Sequence, residues 1–111
     1  MLQTSDRFAM LKPGQPMPRY PHELDAQRVD GRVLLRFTVD RTGRVIPGSI
    51  RDVRPERDSD LAEFLTPAHK LFAKTLADVV INWTFEPARI GPCRVKRFLQ
   101  LPIAFNAPHG P

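Results

Sequence analysis

The chain has 111 residues, 41% of them hydrophobic and 26% charged, a mixture that suits one folded domain and excludes a disordered one. Its net charge of +5 comes from 17 basic residues, 13 of them arginine, spread from Arg7 to Arg97 with acids among them; no nucleic-acid interface is expected from so dispersed a pattern. No apolar run is long enough to cross a membrane, Met1 to Met10 lacks the pattern of a signal peptide, and the lone Cys93 forms no internal disulfide. That combination fits a cytosolic protein or a piece of a longer one.

The 12 prolines crowd the ends. Pro13, Pro16 and Pro18 mark residues 1–19 as an extended arm, and Pro108 and Pro111 mark 107–111 as a flexible tail, leaving 20–106 as the packed domain. Tyr20-Pro21 opens a short helix over His22 to Val29, since proline suits a first helical turn, and Gly31 ends it. Val33, Leu35, Phe37 and Val39 then alternate with Arg32, Arg36, Thr38 and Asp40 as a strand, with Leu34 alone out of phase. Asp40-Arg41-Thr42-Gly43 is a hairpin turn, in which Gly43 supplies the left-handed conformation. The return strand runs from Val45 to Ile50 and changes phase across Pro47-Gly48, the pattern of an edge bulge.

Arg54 to Ser59 reads as a loop, and Asp60 to Leu65 as a helical turn capped by Ser59. A longer helix starts at Thr66-Pro67, with Ala68, Leu71, Phe72, Leu76, Val79, Val80 and Trp83 on its apolar face and His69, Lys70, Lys74 and Asp78 on the other. Pro87 bars its extension. The final strand, Val95 to Phe105, puts Val95, Leu99, Leu101, Ile103 and Phe105 on one face, and Pro102 leaves one side of it unpaired near its end. The expectation is an α+β fold, an antiparallel sheet of about three strands with two helices packed on one face.

The sequence offers no catalytic constellation. His22, His69 and His109 are far apart and in polar surroundings, the reading of surface histidines, and no second ligand stands at metal spacing. Cys93 has no base beside it, and the glycines form no phosphate-binding loop. No cofactor and no enzymatic activity are expected.

Taken in order, Tyr20-Pro21, Gly31-x-Val33-x-Leu35-x-Phe37-x-Val39-Asp40-x-x-Gly43-x-Val45, Trp83-x-Phe85-x-Pro87-Ala88 and Pro102-Ile103-x-Phe105 resemble the C-terminal domain of the TonB energy transducers. The match spans about 85 residues, from Tyr20 to Phe105. Tyr20, Pro21, Gly31, Phe37, Gly43, Trp83, Phe85 and Pro87 carry it as structural positions, with Trp83 and Phe37 as core anchors and Tyr20 packing the arm onto the sheet. Three departures stand out. Arg54 to Lys70 is longer than the family's short link, Ala73 stands where many members have an acid, and Met17 where some have a glutamine, with Gln15 nearby.

The resemblance implies a periplasmic domain of an inner-membrane-anchored protein, driven by a proton-powered motor through N-terminal regions that this chain does not include. Its partner would be the TonB box, the N-terminal peptide of an outer-membrane receptor, added as a strand beside the final one. Arg94, Val95, Lys96, Arg97, Phe98 and Leu99 form the expected receiving edge, with Gln15, Met17 and Arg19 near it; the basic side chains favour an acidic peptide. A free edge also invites a strand-exchanged homodimer. The alternative reading is a stand-alone adaptor that binds another protein or a cell-wall partner without energy transduction.

Overall fold

The computed structural model describes residues 11–107. A 3-10 turn at His22–Leu24 precedes β1 (Gly31–Val39). A second turn at Pro47–Ser49 leads to β2 (Arg51–Asp52), α1 (Asp58–Phe64), α2 (Pro67–Val80), β3 (Ala88–Ile90), β4 (Cys93–Val95) and β5 (Arg97–Phe105). One antiparallel sheet has the order β2-β1-β5, and β3 and β4 form a separate hairpin. The α+β class and the three-stranded sheet are those expected from the sequence.

Alternation makes β1 and β5 strands and chooses their common buried face. Val33, Leu35, Phe37 and Val39 are buried, as are Leu99, Leu101 and Phe105 across nine paired residues running from Gly31 opposite Phe105 to Val39 opposite Arg97. α2 covers this inner face with Phe72, Ala73, Leu76 and Val80, and Leu24 from the first turn joins the same core. Full burial of one such side chain is worth roughly 1.5–3 kcal/mol, so the shared face fixes the register. Thr66 starts α2 by accepting the His69 N–H, with Pro67 in the first position. Gly31 lets the helix approach: a Cβ there would sit 2.4 Å from the Phe72 ring.

Several expectations are corrected. The return strand after the hairpin is a single bridge, Val45 to Val39, followed by the Pro47–Ser49 turn and the two-residue β2. The Ser49 hydroxyl takes the strand's place by accepting the Thr38 N–H. α1 begins at Asp58, so Ser59 lies inside it and does not cap it. α2 ends at Val80, well before Pro87; Trp83 is buried from the turn beyond. Tyr20 packs against the core shared by α2 and the sheet, with its ring edge-on to Phe72 at 5.7 Å and its hydroxyl donating to the Val29 carbonyl at 2.7 Å.

The arm, expected outside the packed unit, is tied down where it is described. Leu11 bridges Phe85 and the Lys12 N–H bonds the Thr84 carbonyl. Residues 1–10 and most of the expected tail, 108–111 with His109, lie outside the described residues.

Candidate functional site

Among the described residues β5 is an edge strand, paired with β1 on one side only. The carbonyls of Leu34 and Thr38 accept from Val53 and Ile46, on the side of β1 away from β5. Backbone groups alternate sides along a strand, so Val33, Leu35 and Phe37 are the residues that bond β5, through Ile103, Leu101 and Leu99. The N–H and C=O groups of Phe98, Gln100 and Ala104 therefore point outward from the sheet, together with the Pro102 carbonyl. Pro102 stands at an outward position, where its missing N–H costs the β1 ladder nothing.

The side chains follow the same parity. Leu99 and Leu101 are buried, while Phe98, Gln100, Pro102 and Ala104 are exposed on the sheet's outer face. Phe98 is 78% exposed, an unusual position for a phenylalanine and one that an added strand would partly cover. Among the described residues the edge thus offers a short row of unpaired backbone groups beside an uncovered aromatic ring.

The expected edge from Arg94 to Leu99 is divided. Arg94 and Val95 belong to β4, where they pair with Arg89 and Ala88, so part of their backbone is already occupied. Lys96 lies between β4 and β5, and only Arg97, Phe98 and Leu99 of the expected residues stand in the main sheet. Gly91, at a φ of 59°, turns the β3–β4 hairpin, and the Gly91-Pro92 pair was its available sequence signal.

The arm residues lie elsewhere. The Gln15 side-chain oxygen accepts the Thr84 N–H, and the Trp83 indole N–H donates to the Pro16 carbonyl. Thr84 in turn bridges Arg44, and Val45 bridges Val39, on the side of β1 opposite β5. Gln15 is thus placed across the sheet from the open edge. Met17 is 48% exposed and Arg19 exposed, and no hydrogen bond among the described residues joins either to β5.

The structural positions serve the core: Phe37, Trp83 and Phe85 are buried together, with the Phe85 ring 6.0 Å from Phe37 and 6.3 Å from Trp83.

His69 reverses its sequence reading. It is 5% exposed, its Nε2 lies 2.9 and 3.1 Å from the two Asp52 carboxylate oxygens, and its ring is 4.8 Å from that of Phe64. This contact ties the start of α2 to β2 and α1. A histidine three residues after an N-cap is too ordinary to reveal it. Among the described residues no group of three His, Cys, Asp or Glu side chains is placed to hold a metal ion.

No protein-family model matches the chain. No curated protein matches it either. Among solved structures, the fold is similar to the solution NMR structure of the TonB C-terminal domain of Pseudomonas aeruginosa, with a TM-score of 0.62 and 22% identity over 97% of this chain and 94% of that one. The likeness is one of fold.

Proposed function

We propose that this is the peptide-gripping domain of a TonB-type energy transducer, which captures the N-terminal segment of an outer-membrane receptor as a strand added to β5. The observation that carries this reading is the outward row at Phe98, Gln100 and Pro102 in a sheet whose fold is similar to a TonB C-terminal domain. Backbone pairing along that row supplies affinity largely independent of the partner's side chains. The ladder between β5 and β1 passes tension from the partner strand into the core. Arg94, Lys96 and Arg97 stand at the entry to the row and favour an acidic peptide, by roughly 0.2–1 kcal/mol for each exposed pair. Function in the periplasm, as part of an inner-membrane-anchored protein, belongs to the same proposal.

The test is an NMR titration of the labelled protein with N-terminal peptides of outer-membrane receptors. Shifts centred on the Phe98 and Gln100 amides are expected. A folded protein whose β5 amides do not move with any receptor peptide overturns the reading and favours an adaptor with another partner. Loss of the same free amides with rising protein concentration, without peptide, would instead identify a second copy at the edge.

A further inference from the structure

The outer face of the sheet is not bare. A groove of about 610 Å³ lies on it, floored by Leu34 and Arg36 of β1 and by Gln100 and Pro102 of β5. Its wall is the segment from Val53 to Phe64, which leaves the sheet at the Val53 N–H bond to Leu34 and returns through α1. Leu34, out of phase in the sequence, is half-buried here as part of the floor.

Charge is distributed unevenly along the groove. At the Ala104 end, Asp60 of the wall lies 3.9 Å from Arg32, and Glu63 stands close in sequence on the same helix. Toward Gln100 the floor is cationic. Arg36 is paired in register with Arg51 on one side and with Gln100 on the other. Like charges directly opposed across strands repel, and Arg51 turns its guanidinium back to the Gly48 and Ile50 carbonyls. Among the described residues no carboxylate stands within ion-pair distance of Arg36. The wall contributes charges of both signs, Arg54 and Glu56, and neither is ion-paired to Arg36. Arg36 is therefore a cation with a cationic neighbour and an unfilled groove around it.

The groove adjoins the open edge, because Gln100 and Pro102 belong to both. A strand added outside β5 would turn alternate side chains to the outer face and close the groove's free side. Its backbone would lie two strand spacings, roughly 9.6 Å, from that of Arg36. An arginine and a glutamate extended toward each other across Gln100 bridge that gap. We propose that the groove is a side-chain pocket for the partner strand, in which Arg36 receives one acidic residue of that strand. This inference rests on strand addition at β5 and adds its specificity: one carboxylate, on the outer face, at the level of Gln100. Arg36 is exposed, so the pairing has the modest strength of a surface ion pair.

The test uses the whole chain and a receptor N-terminal peptide carrying a single Glu moved stepwise along it, each version matched by its Gln counterpart. Affinity is measured by calorimetry for the wild type, for Arg36→Gln and for Arg32→Gln, while NMR follows the β5 amides. At one Glu position the wild type is expected to prefer the Glu peptide about fivefold over the Gln peptide. Arg36→Gln removes that preference and Arg32→Gln keeps it. Binding at the β5 edge with no Glu preference, or with a preference that survives Arg36→Gln, overturns the pocket and leaves strand addition standing. Absence of β5 shifts with every peptide overturns both.

Discussion

Single residues fix the hairpin after β1 through backbone geometry. Gly43 has a φ of 93°, and a Cβ on it would lie 2.1 Å from the Phe85 carbonyl oxygen. Gly43→Ala therefore costs at least about 1–2 kcal/mol of backbone strain, and denaturant unfolding is expected to register that loss or more. Asp40 organises the same turn: its Oδ1 accepts the Thr42 hydroxyl, the Thr42 N–H and the Arg44 N–H. The Thr42 hydroxyl above all, with the Arg44 N–H next, holds the carboxyl below its ordinary 3.8. A depressed carboxyl stabilises the fold above its unfolded value and loses that contribution as pH falls through the folded one. The Asp40 carboxyl is expected to titrate below 3.8 by NMR, and Asp40→Asn to remove its part of the acid-side loss of stability; a midpoint at or above the ordinary value would refute this. Inside the molecule, His69→Ala gives up two close contacts to a carboxylate and packing against Phe64. Its expected cost is about 1.5–3 kcal/mol in equilibrium unfolding.

Elements differ in how far periodicity reveals them. β1, α2 and β5 were readable because each repeats apolar residues often enough to define a face. β3 and β4 have three residues each, too few for a period, so Val95 was assigned to the wrong strand. The return strand failed for another reason: the Ser49 hydroxyl does the work of a backbone partner, and alternation carries no trace of that. The groove wall is polar and irregular, so the site it builds on the outer face was hidden, although Pro102 had pointed to the open edge. The arm is held by an equally unpatterned contact, the Trp83 indole N–H on the Pro16 carbonyl. Trp83→Phe keeps an aromatic ring in the core and deletes that donor. It is expected to speed hydrogen exchange at the Lys12 amide, which bonds the Thr84 carbonyl, with little change at β1 or β5. Equal acceleration at β1 would mean that the arm and the sheet open together.

Across the whole molecule, the parity of β5 separates what holds the fold from what is free to bind. Odd positions such as Leu99 and Leu101 bury their side chains and bond β1, while even positions show both side chain and backbone to the outside. Pro102 already shows that proline is compatible with an even position. A second proline at Gln100 would delete an outward N–H and leave every β1–β5 hydrogen bond in place. Gln100→Pro should therefore remain folded, with only a modest fall in melting temperature from restricting φ. Leu101→Pro, one residue further on, removes a ladder bond and a buried side chain, and should unfold the sheet. If the partner strand is taken up at this edge, Gln100→Pro abolishes one of its central backbone bonds and displaces its register. Binding of receptor peptides is then expected to weaken about tenfold or more, the size of one lost hydrogen bond in a short ladder. A folded Gln100→Pro protein that binds as well as the wild type would place the partner on another surface, because no side-chain contact can restore a backbone donor that proline lacks.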